Sequence, residues 1–60
     1  MNIIICHDDV GKELERKKTA FALCINDIVE TDKGDYSVQL KRLVCNEDGT
    51  ETLYTYALLE

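Results

Sequence analysis

The chain has 60 residues, 45% of them hydrophobic and 32% charged, with twelve acidic against seven basic side chains and a net charge of −5. A chain this short forms one small domain, residues 1–60, and has little room for a deep catalytic cleft with its own supporting shell. The acidic balance argues against a binder of the phosphate backbone, which needs a basic surface, and suits a basic-surfaced protein partner.

Residues 2–6 carry Ile3, Ile4 and Ile5 in succession. A continuous apolar run of this length reads as a short strand covered on both faces, and so central in a sheet. From about residue 10 to 24 the spacing predicts a helix. Val10, Leu14, Phe21 and Ile25 fall on one stripe, while Lys12, Glu13, Arg16 and Lys17 face outward. Glu13 stands four residues before Lys17, the favourable order for a helical ion pair. Asp8 and Asp9 precede the stripe as N-terminal caps. Thr19, Phe21, Leu23 and Ile25 also alternate with smaller residues, so the same letters fit a strand. In that case residues 19–58 become a three-stranded meander or small barrel behind a short N-terminal helix.

A strand over 25–31 follows, and Asp32-Lys33-Gly34-Asp35 makes a turn. Tyr36 to Lys41 alternates apolar with polar, as do the residues from Glu51 to Leu58. Between them, Asn46-Glu47-Asp48-Gly49-Thr50 has asparagine first and glycine fourth, the pattern of a type I turn closed by a left-handed glycine and a bulge. That loop pairs Asn46 with Thr50. Counting back, Val44 faces Thr52, Leu40 faces Tyr56 and Val38 faces Leu58. One hairpin face then carries Tyr36, Val38, Leu40, Val44, Tyr54, Tyr56 and Leu58. The other carries Ser37, Gln39, Lys41, Leu43, Leu53 and Thr55. The predicted class is α+β, in the order β-α-β-β-β: a mostly antiparallel sheet with one helix packed on the tyrosine-bearing face.

Cys6-His7-Asp8-Asp9 is the stretch that raises metal or nucleophile chemistry. Cys24 and Cys45 lie far along the chain, no Cys-x-x-Cys pair exists, and His7 is the sole histidine. Adjacent residues of a strand point to opposite faces, which separates Cys6 from His7 and Asp8 from Asp9. The stretch therefore reads as a strand end and cap. No catalytic residue, metal or cofactor is expected, and a metal- or thiol-dependent activity on Cys6, His7 and Asp9 is the alternative. The basic clusters, Glu15-Arg16-Lys17-Lys18 and Lys41-Arg42, have only Phe21 nearby in sequence. A nucleic-acid patch wants interleaved aromatics, so direct nucleic-acid contact is not expected.

Asp27, Glu30, Asp32 and Asp35 form the densest acidic stretch, suited to steering a basic partner. Leu43, Leu53, Ala57 and Leu59 fall on the hairpin face away from the tyrosines, an apolar surface for a partner or a homodimer. The expected function is a non-enzymatic protein-interaction module. An inhibitor or regulator of the kind that mobile elements and phages carry fits this description. It would bind a larger, basic-surfaced protein through Asp27, Glu30, Asp32, Asp35, Leu43 and Leu53. An odd number of cysteines and the lack of a basic leader or long apolar run at the N-terminus predict a cytoplasmic, membrane-free protein.

Overall fold

The computed structural model describes residues 1–60. It holds five strands: β1 (Asn2–His7), β2 (Glu13–Thr19), β3 (Ile28–Thr31), β4 (Gly34–Cys45) and β5 (Glu51–Leu59). They form one sheet in the order β2-β1-β5-β4-β3. β1 runs parallel to β5, and every other neighbouring pair is antiparallel. The sheet curls into a half-barrel. β1 is central in the sheet, as its isoleucine run suggests, but no layer covers both of its faces: Ile4 and Cys6 point into the core, whereas Ile3 and Ile5 lie on the outward face beside Tyr54 and Tyr56.

The helix predicted over 10–24 is absent, and the α+β class with it. Residues Asp8 to Lys12 close a hairpin instead. Asp8 N donates to Lys12 O at 3.0 Å, Gly11 N donates to Asp8 O at 3.1 Å, and Gly11 has φ +86°. The Asp8 carboxylate accepts the amides of Val10 (3.1 Å) and Lys12 (2.8 Å), so it caps a turn rather than a helix. β2 then pairs antiparallel with β1. Glu13 to Lys18 are good helix formers, but propensity is a weak preference, and pairing with β1 overrides it. The expected apolar stripe is not buried: Val10, Phe21 and Ile25 are exposed. A bulge opposite Cys6/His7 sets Glu13 against His7 and Arg16 against Ile5. Glu13 and Arg16 thereby share a face, and they pair at 2.7 Å. Residues 20–27 form a loop, so the strand expected over 25–31 begins only at Ile28.

The β4–β5 hairpin turns as its sequence indicates. Asn46 N donates to Thr50 O at 2.8 Å, Gly49 N to Asn46 O at 3.1 Å, and Gly49 has φ +86°. Val44 faces Thr52 and Leu40 faces Tyr56. The alternation breaks between Val38 and Leu40, where a bulge sets Val38 against Ala57 instead of Leu58. One extra residue inverts everything beyond it. Tyr36 and Val38 therefore turn inward, away from Tyr54 and Tyr56. The covered face of β5 is the one bearing Thr55 and Ala57, not the one bearing the tyrosines.

The core is a cluster of Ile4, Cys6, Tyr36, Val38 and Ala57, with Leu23 and Val29 packed against it. The loop over 20–27 lies along this face. Lys41 Nζ donates to Leu23 O (2.8 Å) and Asn2 Nδ2 to Phe21 O (3.1 Å). Asn26 N donates to Val38 O and Val38 N to Asp27 O. The open side of the half-barrel is bridged by Glu15 of β2. Its Oε2 accepts the Thr31 hydroxyl at 2.9 Å and the Tyr36 hydroxyl at 2.8 Å.

Candidate functional site

Of the residues expected to meet a partner, the four acids gather and the two leucines stand apart from them. Glu30 lies on the edge strand β3, opposite Asp35 of β4, and Asp32 lies in the turn that joins the two strands. Asp27 precedes β3, and its carboxylate accepts the Cys24 amide at 2.7 Å. All four are exposed, and the molecule's one salt bridge, Glu13–Arg16, lies elsewhere. Leu43 and Leu53 face each other directly across β4 and β5. Eight residues of β4 separate Leu43 from Asp35, roughly 26 Å at the rise of a strand.

Cys6, His7 and Asp9 are not brought together. Cys6 points into the core, opposite Ala57 and Glu15. Burial pushes its thiol up to about 11, with the Glu15 carboxylate adding to the effect. A thiol held protonated in this way is a poor nucleophile. His7 is on the other face, where its Nδ1 lies 2.8 Å from Asp8 O, and Asp9 is exposed at the turn. No three His, Cys, Asp or Glu side chains converge as a set of metal ligands. All three cysteines are unpaired.

The outward face of the sheet holds a grouping that linear reading missed. The register places Lys18, Ile3, Tyr54 and Arg42 in one row across β2, β1, β5 and β4. The next row holds Arg16, Ile5, Tyr56 and Leu40. Beside the second row an open hollow of about 340 Å³ is lined by Ile5, His7, Gly11, Glu13, Arg16 and Tyr56. The Arg16 guanidinium forks onto Glu13, with Nε to Oε2 at 3.2 Å and Nη2 to Oε1 at 2.7 Å. This pairing draws the Glu13 carboxyl below its ordinary range and raises Arg16, with smaller contributions to Arg16 from Tyr54 and Tyr56. The signal in the sequence was the parity of Arg16 and Lys18 on one strand and Tyr54 and Tyr56 on another. Only the parallel β1–β5 pairing brings them onto one face, two strands apart.

No protein family, curated protein or solved structure matches the chain. The protein has no helix long and apolar enough to cross a membrane.

Proposed function

We propose that the protein is a small, non-enzymatic interaction module that acts as an inhibitor or regulator by binding a larger, basic-surfaced protein through its β3 edge. One observation carries this reading. Glu30 stands directly across from Asp35 with Asp32 in the intervening turn, and none of the three has a salt-bridge partner. Like charges facing each other across strands destabilise a sheet, so a fold that concentrates them gains from a cationic partner that neutralises them. β3 is also a sheet edge, with backbone groups free to receive another chain, and Ile28 on it is 55% exposed. The Leu43–Leu53 pair lies on the opposite face of the sheet from Glu30 and Asp35, so the β3 edge carries this reading without it. A reducing cytoplasm suits three free thiols, two of them exposed.

Affinity capture with the native protein and with a Glu30→Gln/Asp32→Asn/Asp35→Asn variant tests the reading. The native chain is expected to retain a basic protein at low salt and release it at high salt, and the neutralised variant to retain none. Equal capture by both chains, or capture by neither, refutes it.

A further inference from the structure

We infer that the outward face of the sheet binds single-stranded nucleic acid, with bases stacked on Tyr54 and Tyr56 and phosphates held by Arg16, Lys18 and Arg42. Along the chain only Phe21 lies near the basic clusters. The fold supplies the missing aromatics from β5. Arg42 is the direct cross-strand partner of Tyr54, and Arg16 and Lys18 stand two strands from Tyr56 and Tyr54, across Ile5 and Ile3 of β1. Tyr54 and Tyr56 are half-buried, two residues apart on one face, and so about 7 Å apart along the strand. Successive bases on an aromatic platform, with the backbone tracking a line of cations, is the physical basis of sequence-tolerant single-strand binding. Duplex DNA gives such a platform no bare base to stack.

The net charge of −5 does not cancel this patch. The acids of the same face, Glu30 and Asp35, lie at the β3 end. Asp35 is seven residues along β4 from Arg42, roughly 23 Å, which exceeds a screening length of about 8 Å at physiological salt. They limit the footprint to a few nucleotides. Glu13 is the one acid among the cations, and it holds Arg16. A second copy of the chain is the competing occupant of an uncovered apolar face. Face-to-face pairing would set Arg16, Lys18 and Arg42 of one copy against the same residues of the other, whereas a polyanion neutralises them. This inference uses none of the acids at the β3 edge, so it stands or falls apart from the protein-partner reading.

Fluorescence anisotropy with labelled oligothymidylate, oligouridylate and a duplex of equal length tests it. Both single strands are expected to bind in preference to the duplex. Three phosphate contacts set a slope of log affinity against log salt of about −2. Tyr54→Ala and Tyr56→Ala each weaken binding about tenfold, whereas Tyr54→Phe and Tyr56→Phe, which keep the ring, stay within about twofold of wild type. Glu13→Gln, by releasing Arg16, tightens binding severalfold. The Glu30→Gln/Asp32→Asn/Asp35→Asn variant retains the oligonucleotides. Absence of single-strand binding at low salt overturns the inference. So does equal affinity for the duplex, loss of binding in the Phe variants comparable to that in the Ala variants, or a dimer mass with Tyr54 and Tyr56 protected from solvent.

Discussion

Gly11 and Gly49 occupy the same position of the same turn. Each follows three residues that begin with Asp8 or Asn46, each has φ +86°, and each donates its amide to the carbonyl three residues before it. A Cβ added at either glycine would meet nothing within 4 Å, so replacement costs backbone strain and no clash. Gly11→Ala and Gly49→Ala are therefore each expected to lower stability by about 1 kcal/mol, the ordinary cost of a left-handed L-residue. Asparagine at either position should cost less, because it tolerates that conformation, as Asn26 does here at φ 76°. Urea unfolding checks this as a shift in midpoint with an unchanged slope. A loss of several kcal/mol at Gly11 alone would mean that the β1–β2 turn is not the relaxed copy of its counterpart.

Strand β4 owes its role to one irregularity. Before the bulge it lines the core with Tyr36 and Val38, and beyond it Leu40 turns to the outward face beside Tyr56. Deleting Gln39 restores strict alternation and forces one half of the strand to present the wrong face. That variant is expected to lose its cooperative thermal transition. Val38→Ala keeps the register and should only lower stability, by about 2 kcal/mol for a fully buried side chain. Circular dichroism melts separate the two outcomes, and a cooperative melt from the deletion would show that β4 tolerates either register. The bulge was not legible from sequence, because Val38-Gln39-Leu40 contains no glycine or other break in its alternation. The β4–β5 turn was legible, since Asn46 and Gly49 specify it within five residues. The β1–β2 turn is equally specified by Asp8 and Gly11, but Val10 between them also fits the helical spacing of Leu14, Phe21 and Ile25, and the two signals compete. The outward site depends on Asn2–His7 pairing with Leu53–Leu58, some fifty residues on, and no local pattern encodes that contact.

At the scale of the whole molecule, few side chains hold the half-barrel: seven of 60 residues are buried, and a chain of this size has little stability in reserve. The bridge from Glu15 to Tyr36 and Thr31 joins the two ends of the sheet, which makes stability depend on pH on both sides of neutrality. The Tyr36 hydroxyl, and then that of Thr31, holds the Glu15 carboxyl below its ordinary 4.5. A lowered folded value means that the contribution is complete above the unfolded value and is lost as pH falls through the folded one. Glu13, through Arg16, and Asp48, through Thr50, act in the same direction. On the alkaline side the signs reverse. Burial, aided by Glu15, raises the Cys6 thiol from 9.0 to about 11. The hydrogen bond to Glu15, with burial, raises the Tyr36 phenol from 10.0 to about 12. The unfolded chain releases both protons first, so their contributions are whole below pH 9 and drain away between about 9 and 12. Denaturant titrations are thus expected to give a plateau of stability from about pH 5 to 9, with a decline on either side. Glu15→Gln should flatten the acid limb in part, leaving the shares of Glu13 and Asp48. Tyr36→Phe should remove the share of the alkaline limb between about pH 10 and 12 and leave the share of Cys6 between about 9 and 11. If wild-type stability stays level from pH 9 to 12, neither group is held in its protonated form by the fold, and the Glu15 bridge does not close the barrel in solution.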